Sequence, residues 1–103
     1  MTEGPKTKIL RVVLDCLKPH QPSTWELASL LTKVVGVTSV DVVVDEVDSE
    51  TESLKVSIAG QNLSLPLIEE TLKDVCVAIH SVDRVIAGDN LSAGTPLVKK
   101  EEP

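Results

Sequence analysis

Residues 40–58 read Val-Asp-Val-Val-Val-Asp-Glu-Val-Asp-Ser-Glu-Thr-Glu-Ser-Leu-Lys-Val-Ser-Ile. Two alternating runs flank a polar link. In the first, Val40, Val42 and Val44 share one side, and Asp41, Val43 and Asp45 the other. In the second, Leu54, Val56 and Ile58 alternate with Lys55, Ser57 and Ala59. Period-two alternation marks a strand with one buried face. Two such runs joined by a short polar link, residues 49–52, predict an antiparallel hairpin. The strands are expected at 38–48 and 53–60.

Upstream of the hairpin, residues 8–17 form a further alternating run. Leu10, Val12, Leu14 and Cys16 line one face; Ile9, Arg11, Val13 and Asp15 line the other. Lys18-Pro19-His20-Gln21-Pro22 is expected to be a loop, because its two prolines lack backbone donors. Ser23 and Glu26 then have the spacing of a capping box. Leu27, Leu30, Leu31 and Val34 follow at helical spacing. Gly36 suits the left-handed residue that ends a helix, so a helix is predicted over 23–35. Trp25, the only aromatic ring, is expected to cover the loop in a partly buried position.

Downstream, a second helix is predicted from near Ser64 to near Val77, with Pro66 tolerated in its first turn. Its apolar stripe is Leu65, Ile68, Leu72, Val75 and Cys76. Residues 79–87 read as a fourth strand with poor alternation. The alternation leaves open which face is buried; a bulge could turn Ile79, Val82 and Ile86 inward together.

The order βαββαβ predicts an α+β, ferredoxin-like sandwich: a four-stranded antiparallel sheet, strands one and three central, both helices on one face. The single domain is expected to span 8–88, with 1–7 and 89–103 as flexible termini. The other sheet face would expose Arg11, Asp15, Asp41, Asp45, Lys55 and Ser57 around Val13 and Val43.

Composition narrows the function. The chain has 103 residues, a net charge of -6, one Trp, and no Phe or Tyr. Nucleic-acid binding is excluded as an expectation, since an acidic surface repels phosphates and no rings are available for stacking. No apolar segment approaches the ~20 residues of a membrane span. Neither a secretory signal nor a CxxC motif occurs, so a cytoplasmic protein with two reduced, buried thiols, Cys16 and Cys76, is expected.

Antiparallel pairing brings the end of strand one, the hairpin and the start of strand four to one end of the sheet. Asp15, His20, His80 and Asp83 belong to that end and are the expected ligand-binding residues. Asp45, Glu46, Asp48, Glu50 and Glu52 crowd the hairpin. Calcium or magnesium would take such oxygen ligands, with Asp45, Glu46, Asp48 and Glu50 as the expected set. The spacing matches no EF-hand loop, and a solvated hairpin tip is the competing reading. Ser81 is a possible nucleophile, yet it has no G-x-S-x-G elbow around it.

Leu10-Arg11-Val12-Val13-Leu14-Asp15, Leu17-Lys18-Pro19-His20-x-Pro22-Ser23, Glu46-x-Asp48-x-Glu50-Thr51-Glu52 and Ile79-His80-Ser81-Val82-Asp83-x-Val85-x-Ala87-Gly88 resemble the motifs of a family of small uncharacterised archaeal proteins. The resemblance implies a domain of unknown function with a ferredoxin-like fold that assembles into homo-oligomers. It supplies no activity. One departure stands at Asp74-Val75-Cys76-Val77, where the family pattern is expected to place a glycine near the helix end.

The leading expectation is therefore a non-enzymatic homo-oligomeric module binding a small ligand or divalent cation at the acidic, histidine-bearing end of the sheet. A small hydrolase using His80 or His20 with Asp15 is the first alternative. A structural or regulatory interaction module is the second.

Overall fold

A computed structural model describes residues 7–89 of the chain. The expected flexible termini, except for Thr7 and Asp89, fall outside the described residues. The elements are β1 (Lys8–Pro19), α1 (Thr24–Leu31), β2 (Val37–Val47), β3 (Thr51–Gly60), α2 (Leu65–Asp74) and β4 (Ala78–Gly88). They form one antiparallel sheet in the order β2-β3-β1-β4. This is the predicted ferredoxin-like α+β arrangement. Among the described residues no helix is long and apolar enough to cross a membrane.

The β1–β3 register runs unbroken from Arg11↔Ala59 to Pro19↔Thr51. Paired residues share a face and successive residues alternate. Val12, Leu14 and Cys16 therefore lie beside Ile58, Val56 and Leu54 under the helices. Leu27 and Leu31 of α1 and Ile68 and Leu72 of α2 close this core. Each such buried aliphatic side chain stabilises the fold by roughly 2 kcal/mol.

The capping box forms as predicted: the Glu26 amide donates to Ser23 Oγ (3.2 Å) and the Ser23 amide to Glu26 Oε1 (2.8 Å). The helix ends earlier than the predicted 35. The Thr32 amide is shared between the Ala28 and Ser29 carbonyls, and the next two amides bond three residues back, Lys33 to Leu30 and Val34 to Leu31; the Thr32 hydroxyl donates to the Ser29 carbonyl. β-Branched Thr32, Val34 and Val35 favour this departure from the α-helix. Gly36 takes the left-handed φ of 90° that was expected of it.

Helix α2 starts on the Ser64 cap and ends in a Schellman motif. The Val77 amide bonds the Leu72 carbonyl and the Cys76 amide the Lys73 carbonyl. Cys76 itself adopts φ 62°, the place where a glycine was expected. That corrects the expected burial of Cys76: it is exposed, while Cys16 is buried, and both are free thiols.

Strand β4 pairs with β1 through three register shifts. The irregularities absorb its poor alternation. Ile79 pairs with Cys16, Val82 with Leu14 and Val85 with Val12, so these three take the helix-facing side. Ile86 pairs with Arg11 and faces the other way, so the bulges do not turn Ile79, Val82 and Ile86 inward together.

Both helices are short. The eight residues of α1 span about 12 Å, whereas the twelve of β1 reach roughly 40 Å. The helices therefore leave Val44, Val47, Val82 and Val85 uncovered, and the expected burial of Val44 is not realised on this edge strand. Trp25 is 76% exposed, so it does not cover the loop as expected.

Candidate functional site

The expected ligand residues do lie at one end of the sheet, but the sheet divides them. The odd positions of β1 point away from the helices and the even ones toward them. Asp15 is odd; Lys18, on the other parity, carries its neighbours to the helix side. Two clusters result where the sequence suggested one.

On the open face, Asp15 pairs in register with Lys55 on one side and Ser81 on the other. Lys55 Nζ reaches across β1 to Asp83 Oδ2 at 2.6 Å and stands 3.6 Å from Asp15 Oδ1. Ser81 Oγ donates to Asp83 Oδ1 at 2.7 Å. His80 Nδ1 lies 3.8 Å from Asp15 Oδ2. The Lys55 and Ser81 hydrogen bonds hold the Asp83 carboxyl below its ordinary range, and Asp83 in turn raises the Lys55 ammonium. Asp15, Cys16, Leu17, Ser53 and His80 line a cavity of about 210 Å³ here. Burial, with Asp15 and Asp83 adding charge, pushes the Cys16 thiol up to about 11.

At the helix side, Lys18 is fully buried. Its Nζ donates to the carbonyls of Pro22 (2.6 Å), Pro19 (3.0 Å) and His20 (3.4 Å), and pairs with Glu52 Oε1 at 2.9 Å. Glu52 Oε2 meets His20 Nδ1 at 2.9 Å, and His20 Nε2 meets the Ser49 carbonyl at 3.0 Å. Hydrogen bonds first to Glu52 and then to Ser49 raise the His20 pKa; the His20 bond and then the Lys18 bond lower that of Glu52.

His20 is thus bound to Glu52, not Asp15, which removes the expected His20–Asp15 pair. Asp83 belongs to Lys55 and Ser81 instead of standing beside a free histidine. Asp45, Glu46, Asp48 and Glu50 are all exposed along the end of β2 and the hairpin. Among the described residues no three His, Cys, Asp or Glu side chains group so as to hold a metal ion.

Sequence reasoning overlooked Lys18 as a functional position. The signal was present: Lys18 continues the apolar stripe Val12-Leu14-Cys16, and Glu52 continues Ile58-Val56-Leu54. A lysine and a glutamate each extending a core stripe, and opposite each other in register, predict a buried pair.

Two comparisons bear on the chain as a whole. The sequence profile of DUF211, a family described as uncharacterized ArCR, matches residues 10–101. The uncharacterized protein MJ0319 of Methanocaldococcus jannaschii is 42% identical over 83 residues, covering 81% of this chain and 86% of that one.

Proposed function

The chain belongs to the uncharacterized DUF211 family, and for this member we propose a non-enzymatic, homo-oligomeric module that binds a small ligand at the hairpin end of its open sheet face. One observation carries this reading. The half-buried Asp15 carboxylate borders the cavity and stands 3.6 Å from Lys55 and 3.8 Å from His80, short of a hydrogen bond to either. It is an acceptor in search of donors, with the Ser53 hydroxyl and the apolar Leu17 beside it. A small ligand bearing an N–H donor and a short apolar part fits this lining. A divalent cation fits less well, because Lys55 already occupies the space between Asp15 and Asp83.

The surrounding chemistry favours binding over turnover. Both ring nitrogens of His20 are taken up by contacts to Glu52 and Ser49, so neither is turned to a substrate as a general base. Ser81 donates to a carboxylate already engaged by Lys55, which makes Asp83 a poor base. Cys16 is buried with a raised pKa and is a poor nucleophile. Assembly is supported by two long edge strands, β2 and β4, that expose Val43, Val47, Val82 and Val85.

The test is an amide NMR titration at fixed pH with small aliphatic amines, and separately with calcium and magnesium. Shifts at residues 15–17, 53 and 80 with an amine, lost in Asp15→Asn, support the reading. Shifts with a divalent ion alone replace it with the cation version, and no shift with any probe overturns ligand binding. Light scattering of the same sample reads the assembly, and a monomer at high concentration overturns that part.

A further inference from the structure

His20 sits between two acceptors. Its Nδ1 is 2.9 Å from a Glu52 carboxylate oxygen and its Nε2 is 3.0 Å from the Ser49 carbonyl oxygen. Neither partner can donate, so both contacts are hydrogen bonds only when both ring nitrogens carry protons. A neutral imidazole has a single N–H and leaves one lone pair aimed at another. We propose that the β1–α1 connection and the tip of the β2–β3 hairpin are joined by a proton-operated clasp, closed while His20 is doubly protonated and opened at Ser49 when one proton leaves.

The geometry fixes which contact opens. A carboxylate is a stronger acceptor than a peptide carbonyl, so the remaining proton stays on Nδ1 toward Glu52, and the bond to Ser49 is the one lost. The other anchors of the region do not depend on His20. Lys18 continues to hold the carbonyls of Pro19, His20 and Pro22 together with Glu52 Oε1. The 19–22 loop therefore stays in place while the hairpin tip is released. Beyond the ladder, the tip keeps the Asp48 amide to Thr51 carbonyl bond of 2.8 Å.

The charged groups facing the ring are Glu52 from β3 and Lys18 from β1; the hairpin presents the Ser49 carbonyl. Glu52 favours the imidazolium and Lys18 opposes it. The balance lies with protonation, since the carboxylate touches the ring and the ammonium is held on the far oxygen of that carboxylate. The tip carries the exposed acids Asp48 and Glu50, so the clasp links solvent acidity to how two carboxylates are presented. It is independent of the ligand reading on the opposite face.

The experiment is a pH titration of the full chain by NMR. Ring nitrogen shifts are expected to show both sites protonated at pH 6, with a midpoint above the ordinary 6.5. The Ser49 and Glu50 amides should titrate with that midpoint, and the backbone order of residues 48–50 should fall across it while residues 20 and 21 stay constant. Glu52→Gln should lower the midpoint. His20→Ala, at an exposed position, should leave the tip equally mobile at every pH. A ring that titrates at or below 6.5, or a tip whose order is the same on both sides of the midpoint, overturns the clasp.

Discussion

Lys18 and Glu52 stand opposite each other in the register of the two central strands, and their ion pair of 2.9 Å ends the hydrophobic core. The helix-side stripes of β1 and β3 run apolar from Val12 and Ile58 to Cys16 and Leu54. At the next inward position the protein places opposite charges. The Lys18 ammonium is fully buried, yet three loop carbonyls and the carboxylate surround it, and among the described residues no buried side-chain polar atom lacks a partner.

Lys18→Met is expected to destabilise the fold strongly, because it strips a donor from the carbonyls of Pro19, His20 and Pro22 and leaves Glu52 without its buried partner. Loss of the buried donor should lower Tm by about 10 °C, measurable by circular dichroism. Lys18→Met with Glu52→Leu should recover part of the loss. A drop no larger than that of an exposed lysine substitution would show that the pair contributes little.

Stability should be highest in a mildly acidic window. Glu52 is lowered in the folded state, so its contribution is complete above the ordinary 4.5 and is lost as the pH falls through the lowered value. His20 is raised, so its contribution is complete below the ordinary 6.5 and is lost as the pH rises through the raised value. Both act fully between 4.5 and 6.5. Urea melts across pH 3–9 should reveal the two limbs. His20→Ala should flatten the alkaline one, while Asp83 and Glu26, also lowered, keep the acid limb in place.

Cys76→Gly should stabilise the protein. Cys76 occupies the left-handed position of the α2 Schellman motif at φ 62°, which costs a residue with a Cβ roughly 1–2 kcal/mol. Glycine relieves that cost but loses more chain entropy on folding, leaving a net gain of about 1 kcal/mol. The thiol is exposed and lies outside the core cluster. A lower Tm for Cys76→Gly would mean that the side chain supports the turn in another way.

Gly60→Ala should destabilise. An added Cβ would collide with the Gly36 carbonyl oxygen and approach Leu63 Cδ2 to 2.7 Å. The Gln61 amide also bonds that Gly36 oxygen at 2.9 Å, so the two backbones cannot simply separate. Overpacking of this kind costs about 1–3 kcal/mol. Chemical denaturation of the variant measures it, and an unchanged midpoint would show that the 36–60 contact yields freely.

The end of the sheet was legible in the sequence, but its division was not drawn from it. Asp15, His20, His80 and Asp83 were placed together because antiparallel order brings their backbones to one end. Parity was the missing step: Asp15 is one position out of phase with Cys16 and Lys18, which sends it through the sheet to Lys55. In β4 the bulges made parity uninformative: Ser81 pairs with Asp15, whereas His80 and Asp83 fall at the register shifts, and only their side-chain contacts to Asp15, Lys55 and Ser81 show where they belong.

By itself the sequence determined the order βαββαβ, the central place of β1 and β3, and the Ser23–Glu26 cap, because periodicity and capping are local properties of consecutive residues. Tertiary structure decided that Lys18 is buried, that His20 turns to Glu52 and Ser49, and that Lys55 bridges to Asp83 across a whole strand. Those contacts join residues 28 to 34 positions apart. Their strength depends on distance and on exclusion of water, and neither exists until the sheet has folded.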